Sequence, residues 1–525
     1  MRNPAAFRDL REFLDLLEAH GELQRVKEEV DWNLEIGAIV RRCYDLGAPA
    51  PFFEKVKDYP KGYRALGAPL GPSSRKGHSL YARTAMALGL GPDTPVKEIM
   101  DCYLQRKERP IKPVLVKSGP CKENVLLGKD LDLLKFPVPL IHGGDGGRYI
   151  GTWHTVVTKD PDSSWVNWGM YRLMVHDRNT MGCLFPVQQH IGQMYQKYEA
   201  RNLPMPAAVA IGGQPVIPIV SCSQLPPYVN EVEIAGALQG EPIALVKCET
   251  LDLEVPATAE IVLEGEVLPH ERRTEGPFGE YMGYEAGKAS PKPVFRVNAI
   301  TYRNDPIFTF SSMGMPIHEG QTVTTVIKGA EIYAELRRLG LPVKGVFIPP
   351  YAVGHMAVIS TETPFINFAK RVAHAVWATK PGLFTYYIVV VEADVDPTNM
   401  DEVIHAIATK CHPVNGIHPV SHIPGFPVLL PFLPPKERLL GDAAGVIFDC
   451  TWPKDWPAET IPVKATLENL WPREIQEKVL KKWESYGFKA AEPVDLGSRK
   501  VPQRGLNSQI ERRASLEGRG DGEIG

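Results

Sequence analysis

The sequence predicts a mixed α/β protein (an α+β multidomain chain), in which a strand-rich middle lies between two α/β segments. The chain has 525 residues, a length that accommodates roughly two to four domains and a large buried core. From about residue 126 to 310, short runs rich in Val and Ile are separated by turn residues, as in β-strands. From residue 322 onward helix-like and strand-like segments alternate, which favours an α/β domain.

The N-terminal segment opens with an amphipathic helix and carries no pattern that points to chemistry. Apolar residues recur there at helical spacing: Phe7, Leu10, Phe13, Leu14 and Leu17. Gly21 follows as the predicted C-terminal stop. Short alternating segments and Pro/Gly turns continue to about Lys122, which predicts an N-terminal α/β domain.

Strand-like segments separated by turns predict a barrel-like β domain in the middle: YIGTWHTVVTKD, RLMVHD, AAVAIGG, IALVKCET, AEIVLEGEVL, VFRVNAITYR and PIFTF. Beyond them a helix is predicted from Thr322 to Leu339, where Gly340 ends it. We therefore divide the chain into an N-terminal α/β domain (1–121), a central domain (122–321) and a C-terminal α/β domain (322–491). The polar, glycine-rich remainder (492–525) is expected to be disordered.

The composition excludes several classes of function. Lys and Arg number 59 and Asp and Glu 62, so no basic excess points to nucleic acid and no acidic run to a tail partner. The 8 cysteines form no CxxC pair, which argues against a disulfide framework and a structural zinc site. The sequence shows no signal-peptide pattern and no apolar run that could span a bilayer. It predicts a cytoplasmic protein whose partners are small molecules.

Two carboxylates flank a tight turn near the middle of the chain. Residues 271–284 read ERRTEGPFGEYMGY and place Glu275 and Glu280 around Gly276, Pro277 and Gly279. A proline and two glycines exclude a regular helix, and rigid loops of this kind position side chains for chemistry. On this stretch alone, a solvated surface turn is the better explanation.

An ordered set of motifs reverses that interpretation. Residues 167–172 read NWGMYR, with Asn167 five residues before Arg172. The pair Gln189 and His190 follows, and Glu231 precedes a small-residue helix in NEVEIAGALQGEP. With the Glu-Gly-Pro-x-Gly-Glu turn, this order resembles the signature of the UbiD family of decarboxylases, most closely its ferulic acid decarboxylase branch. The resemblance covers roughly the first 480 residues, a normal family length.

The resemblance implies a central split barrel of the flavin-reductase type that binds prenylated flavin mononucleotide (prenylated FMN). It also implies a Mn²⁺ (or Mg²⁺) ion held by Asn167, His190 and Glu231, whose amide, imidazole and carboxylate suit such a cation. Glu233 is the rival carboxylate, but Glu231 keeps the family's spacing to Ala235 and Gly236. The implied cofactor contacts are Thr152, Asn167, Trp168, Gly169, Met170, Tyr171, Arg172, Gln189, His190, Glu231 and Lys380.

Three of the implied assignments remain open. Lys380 resembles a lysine that contacts the cofactor phosphate, but a lysine that interacts with a helix C-terminus fits equally well. Asp449 in GVIFDCTWP is implied in a possible K⁺ site near the cofactor. Ser223 stands where the ferulic acid decarboxylase branch has a methionine, which leaves the local cofactor or K⁺ contacts undecided.

The implied chemistry explains why these residue types are needed. Loss of CO₂ from an aromatic or α,β-unsaturated acid leaves an electron pair in an sp² orbital, so a cofactor must act as the electron sink. By resemblance, Arg172 orients the substrate carboxylate and interacts with Glu275, and Glu280 protonates the new carbon. A carboxyl that donates a proton at neutral pH needs a second carboxylate nearby or burial. If Arg172 pairs with only one carboxylate, the other takes the acid role.

The leading hypothesis is reversible non-oxidative decarboxylation of an aromatic, heteroaromatic or α,β-unsaturated acid. A carboxylase or decarboxylase of an aromatic acyl-CoA thioester is one alternative. A non-catalytic flavin-binding subunit of a larger complex is another, although the intact Arg172, Glu275 and Glu280 argue against it. Loops 313–321 and 416–427 are candidate pocket linings, with His318, His418 and His422 as possible hydrogen-bond partners of the substrate. The resemblance also implies a flavin prenyltransferase that supplies the cofactor, and a homo-oligomer (dimer or hexamer).

Overall fold

The computed structural model describes residues 6–285, 288–426, 430–438 and 442–489. The predicted disordered tail lies outside these residues. Within them the strands form four sheets, and helices pack against the three larger ones. The mixed α/β prediction is therefore confirmed.

The N-terminal elements form a small sheet covered by helices. They are α1 (Leu10–Ala19), β1 (Leu23–Val26), α2 (Glu35–Leu46), β2 (Ala50–Phe53), β3 (Arg64–Gly67), α3 (Ala82–Ala87) and α4 (Val96–Lys107). The predicted amphipathic helix is α1, and the Asp9 side chain caps it by accepting a hydrogen bond from the Glu12 N–H at 3.0 Å. Four of its predicted apolar residues are buried: Leu10, Phe13, Leu14 and Leu17.

The central elements build the largest sheet. They are β4 (Val114–Leu115), β5 (Asn124–Leu127), β6 (Thr155–Lys159), β7 (Val166–Gly169), β8 (Leu173–Val175), β9 (Thr180–Cys183), α5 (His190–Ala200), β10 (Met205–Ile211), α6 (Val216–Ser221), α7 (Glu231–Gln239), β11 (Ala244–Lys247), β12 (Glu254–Pro256), β13 (Ile261–Glu275), β14 (Ser290–Tyr302) and β15 (Ile307–Phe310). The eight-stranded sheet runs β7–β6–β10–β13–β14–β9–β8, with β5 on β14. Its long antiparallel pair, β13 and β14, carries the predicted catalytic turn between its strands.

The strand β15 differs from the sequence-based grouping. Its sequence, PIFTF, was grouped with the central strands, but β15 pairs in parallel with β3 and completes the sheet β1–β2–β3–β15. The short strand β4 pairs in parallel with β11, in a three-stranded sheet with β12. The N-terminal and central segments thus exchange strands, which fixes them against each other.

The C-terminal elements alternate as predicted. They are α8 (Thr325–Arg338), β16 (Val343–Phe347), β17 (Met356–Thr361), α9 (Phe368–Trp377), β18 (Tyr387–Glu392), α10 (Met400–Lys410), β19 (Ile417–Pro424), α11 (Pro435–Arg438), β20 (Asp442–Cys450), α12 (Leu467–Leu470) and α13 (Arg473–Lys481). One π-helical turn, Gly320–Thr324, precedes α8. The sheet runs β16–β17–β18–β20–β19, and its inner strands β17, β18 and β20 are parallel. None of the helices in the described residues has the length and apolarity needed to cross a bilayer.

Candidate active site

A buried arginine joins the two carboxylates of the turn. Arg172 donates from Nε to Glu275 Oε1 at 2.9 Å and from Nη2 to Glu275 Oε2 at 2.8 Å, a bidentate pair. Its Nη1 donates to Glu280 Oε1 at 2.5 Å. Both glutamates are buried. The fold therefore brings together the three residues that were predicted to be catalytic.

The two glutamates share one guanidinium, so neither carboxylate of the turn lacks a cation. Burial lowers the pKa of Arg172, but the charges of Glu280 and Glu275 outweigh it and raise that pKa above its ordinary value. Tyr149 O–H adds a third hydrogen bond to Glu275, at 2.9 Å from Oε1. Glu280 accepts one bond from Arg172 and a longer one, 3.4 Å, from the Tyr281 N–H. Glu275 is thus the more firmly held carboxylate, and Glu280 is the freer one.

A neighbouring loop holds the turn in place. Gly276 has φ +84°, a conformation that favours glycine. The Gly279 N–H donates to Asp145 Oδ1 at 3.0 Å, and the Gly146 N–H donates to the Pro277 carbonyl at 2.9 Å. These bonds connect the turn to residues 142–149, so the position of Glu280 depends on that loop.

Gly146→Ala is expected to lower the rate of the implied CO₂ release, although it alters none of the predicted catalytic side chains. A Cβ at residue 146 would lie 2.1 Å from the Gly276 carbonyl oxygen, so the turn must shift. A displacement of about 1 Å at a catalytic group can reduce the rate by about 100-fold. Gly143→Ala is the matched control, because no atom of the described residues lies within 4 Å of its Cβ position. Equal rates for the two variants, measured as CO₂ release, would contradict the positioning role of the loop.

The predicted cofactor residues surround one cavity of about 240 Å³. Glu280 lies in its wall together with Arg172. The other predicted residues in the wall are Thr152, Asn167, Trp168, Gly169, Met170, Tyr171, Gln189, Glu231 and Lys380. Glu275 reaches the wall through Arg172, and His190 reaches it through Lys380, whose Nζ lies 3.0 Å from His190 Nε2.

The three predicted metal ligands come from β7, α5 and α7. Glu231 is buried, and its Oε2 accepts the Trp168 N–H at 2.9 Å. Burial raises the pKa of Glu231 to about 7, although that N–H and Lys380 act in the opposite direction. Burial and the charge of Lys380 lower the pKa of His190 to about 3, so its imidazole is neutral, as a metal ligand must be. In the described residues no group of three or more His, Cys, Asp or Glu is arranged around a metal position.

These positions bear on two assignments: the role of Lys380, and the choice between Glu231 and Glu233 as metal ligand. Lys380 lies three residues beyond the end of α9 and turns to His190 of α5, so it lies at the cavity. Burial lowers the pKa of Lys380 to about 8. Glu233 accepts a hydrogen bond from Asn230 Nδ2 at 3.2 Å and is outside the cavity wall that the described residues form, which favours Glu231.

The candidate loop 416–427 reaches the cavity wall through Phe426, but its two histidines, and Asp449 of the implied K⁺ site, lie elsewhere. His418 and His422 are on β19, and His422 is exposed and contacts Asp442 at 2.7 Å. Asp449 on β20 accepts hydrogen bonds from Thr451. Within the described part of the chain, none of these three lines the cavity. The sequence could not show this, because strand pairing decides which loop faces the pocket.

The loop at 313–321 does line the cavity, but its histidine is already engaged. The His318 Nε2–H donates to the Tyr281 carbonyl at 3.2 Å, and Nδ1 accepts the Gly320 N–H at 3.1 Å. Burial lowers the pKa of His318 to about 4, so the ring is neutral. Both ring nitrogens have partners within the protein, so this geometry favours an ordinary structural histidine over a substrate contact.

Sequence reasoning missed two buried charged groups in the cavity wall, Glu319 and Lys328. The Glu319 Oε2 accepts hydrogen bonds from Tyr44 and Ser311, while its Oε1 has no partner in the described residues. The sequence did contain an indication for Lys328. This residue lies four positions before Ile332, and therefore on an apolar face of the predicted helix. A lysine on a buried helix face is unusual.

Comparisons with known proteins identify the family of the chain. Three profiles of the UbiD family, 3-octaprenyl-4-hydroxybenzoate carboxy-lyase, match the chain: the N-terminal domain at 14–103, the Rift-related domain at 112–316 and the C-terminal domain at 321–450. Pyrrole-2-carboxylic acid decarboxylase of Pseudomonas aeruginosa is 36% identical over 489 residues, 91% of this chain and 98% of that protein. Ferulic acid decarboxylase 1 of Saccharomyces cerevisiae is 32% identical over 503 residues, 93% and 99% of the two chains.

Solved structures resemble the whole fold. Vanillic acid decarboxylase of Sedimentibacter hydroxybenzoicus in its closed form has a TM-score of 0.83 and 34% identity, over 92% of this chain and 99% of that one. An evolved dimeric form of the UbiD-class enzyme HmfF from Pelotomaculum thermopropionicum, in complex with prFMN, has a TM-score of 0.73 and 31% identity, over 87% and 99%. The chain therefore belongs to the UbiD family and is a carboxy-lyase.

Proposed function

We propose that this carboxy-lyase catalyses the reversible non-oxidative decarboxylation of an aromatic, heteroaromatic or α,β-unsaturated acid with prenylated FMN. One observation carries the proposal: a guanidinium shared by Glu275 and Glu280 lies at a cavity walled by the predicted flavin contacts. The relative HmfF, which was solved with prFMN, supports the choice of cofactor. The aromatic and heteroaromatic acids named in the relatives support the substrate class.

Arg172 retains donors for the substrate. A guanidinium has five N–H groups, and three of them are used by Glu275 and Glu280. The remaining two can hold the substrate carboxylate in a fixed orientation, and the two glutamates fix the guanidinium plane. When bound, the prenylated flavin supplies the electron sink that no side chain here offers.

Glu280 is the proton donor in this proposal. With a proton on Glu280, the charges of Arg172 and Glu275 balance, and the incoming substrate brings one negative charge. As the C–CO₂ bond breaks, CO₂ leaves without charge and the electron pair at carbon takes the proton from Glu280. The negative charge passes from the substrate to Glu280, and both positions lie beside the Arg172 guanidinium. The net charge of the site with its substrate is therefore the same before and after the step. The reverse sequence carboxylates the product.

Asn167, His190 and Glu231 fit a Mn²⁺ or Mg²⁺ ion. The buried Glu231 carboxylate has one backbone N–H and a raised pKa, which indicates a charge that the protein alone does not fully compensate. A divalent cation would remove that penalty, and it would offset the charge of the flavin phosphate. Lys380, in the same wall, would bind that phosphate as a second cation.

The function is tested with protein co-expressed with a flavin prenyltransferase, the proposed supplier of the cofactor. An absorption spectrum and mass analysis identify the bound flavin, and a screen of aromatic, heteroaromatic and acrylic acids measures CO₂ release. We expect bound prenylated FMN and release from at least one acid. Protein that binds no flavin would contradict the cofactor assignment and favour the non-catalytic subunit.

Glu231→Gln is expected to weaken Mn²⁺ binding by at least about tenfold, because it removes the only predicted ligand that carries charge. The amount of flavin that stays bound through purification should decrease together with the Mn²⁺ affinity. Glu233→Gln is the matched control, since Glu233 lies two residues away on α7 and contacts Asn230. Metal content by mass spectrometry and flavin absorbance are the two measurements. Equal losses in both variants would contradict the assignment of Glu231 as a ligand.

We also propose a homo-oligomer. Large apolar side chains of the C-terminal helices are exposed in the single chain, as far as the described residues show: Leu470 45%, Trp471 46%, Ile475 40% and Leu480 36%. Such a surface is expected to be covered by another chain, and light scattering should give at least twice the mass of one chain. The domain boundaries, the flavin-reductase type of split barrel and the cytoplasmic location stay predictions.

A further inference from the structure

Lys328 is a buried cation in the cavity wall. The residue lies on α8 and is 4% exposed. Its Nζ donates to the Gly354 carbonyl at 3.1 Å, and no carboxylate among the described residues forms an ion pair with it. An ammonium has three N–H donors, so two of them have no hydrogen-bond acceptor among the residues that the structure describes.

Two partly buried lysines differ from Lys328, because each has a carboxylate partner. Lys107 pairs with Glu331, and Lys122 lies 3.1 Å from Glu264. Burial of a charge without an opposite charge destabilises the fold, so a lysine that only binds the Gly354 carbonyl would lower stability with no gain in function. A neutral donor could hold that carbonyl equally well.

The surroundings of Lys328 are suited to an aromatic ligand. The Phe384 ring centroid is 5.1 Å from Nζ, and Phe426 also lines the cavity. Burial lowers the pKa of Lys328 to about 7. Burial and the charge of Lys328 lower the pKa of His355 to about 3, so this neighbour is neutral and adds no second positive charge.

Lys328 and Arg172 reach the cavity from different parts of the fold. Arg172 and Glu280 belong to the central segment, whereas Lys328, Gly354 and Phe384 belong to the C-terminal one. A ligand that contacts both cations must carry two polar groups, with the reacting carboxylate at Arg172.

We propose that Lys328 is a specificity residue that binds an oxygen substituent of the substrate acid, either a ring hydroxyl or a second carboxylate. This inference rests on the proposed function and narrows its substrate class. Both substituents present an oxygen that accepts a hydrogen bond from the ammonium. An acid without such a substituent leaves the cation unpaired, and a site built to bind a polar group discriminates against that analogue.

Binding to a slow variant tests the proposal without turnover. Benzoic, 4-hydroxybenzoic and terephthalic acids are titrated into flavin-loaded Glu280→Gln protein, with and without Lys328→Met. We expect at least about tenfold weaker binding of the hydroxy acid or the diacid on loss of Lys328, and unchanged binding of benzoic acid. The acid that responds identifies the substituent. Lys328→Arg should restore part of the preference, because it keeps N–H donors.

Controls separate this role from a structural one. Lys344→Met, an exposed lysine paired with Glu362, should change none of the three affinities. The flavin spectrum and Tm confirm that each variant is folded, and Lys328→Gln replaces the methionine variant if that one is not. Equal changes for all three acids on loss of Lys328 would overturn the inference and leave a structural lysine.

Failure of the specificity role of Lys328 and failure of the proposed function give different results. If the wild-type enzyme releases CO₂ from some acids but Lys328→Met keeps the same preference among them, only the specificity role of Lys328 fails. If the flavin-loaded wild type releases CO₂ from no acid of the screen, the proposed function fails and the inference fails with it.

Discussion

Glu280→Gln is expected to reduce CO₂ release by about 10²- to 10⁴-fold, the usual contribution of a general acid, while the flavin stays bound. The glutamine keeps the volume and an oxygen that can accept from Arg172 Nη1, which now lies 2.5 Å from Glu280 Oε1. It carries no proton to give to the new carbon. The loss should therefore fall on kcat and leave KM nearly unchanged.

An exposed glutamate of the same segment provides the control. Glu285 is exposed, five residues beyond Glu280, and Glu285→Gln should leave the rate unchanged. The flavin absorption spectrum shows whether each variant holds its cofactor. Wild-type kcat in cofactor-loaded Glu280→Gln would show that another group donates the proton, and Tyr281, which also lines the cavity, would be examined next.

The alternation of the C-terminal segment was predictable because each element carries its own periodicity. In α8, Ile332 and Leu336 are four residues apart, as on one face of a helix, and both are buried. The chain order of β15 placed it with the central strands, but its partner, β3, lies more than two hundred residues earlier. Such pairing depends on tertiary contacts, which local pattern does not encode.

The catalytic cluster also combines a local feature that the sequence shows with a tertiary contact that it does not show. The turn around Gly276 and Gly279 is local and was readable, but Arg172 lies 103 residues before Glu275, and no spacing rule connects them. Only the ordered motifs of the family did so. Tyr149 donates to Glu275, and Lys328 has a backbone carbonyl but no carboxylate as its partner among the described residues. Both facts follow from packing, so neither was visible before the fold was known.

Arg172→Met is expected to abolish activity and also to destabilise the protein. The Arg172 side chain is 9% exposed and that of Glu275 is 0%, so removal of the guanidinium leaves buried carboxylates without their cation. Breaking a buried ion pair in this way costs about 3–5 kcal/mol. The Tm, measured without flavin so that cofactor loss does not contribute, should fall, and CO₂ release should be lost because the substrate carboxylate has no anchor.

The double variant Arg172→Met with Glu275→Gln separates the two effects. It removes the cation together with the carboxylate that depends on it most, so part of the lost Tm should return. Activity should not return, because orientation of the substrate requires the guanidinium itself. Arg172→Lys should lie between these cases in Tm, since it keeps the charge but loses the bidentate geometry. If the double variant were as unstable as Arg172→Met, the bidentate pair would not be what holds the turn, and the contacts of Asp145 and Gly146 would have to carry that role alone.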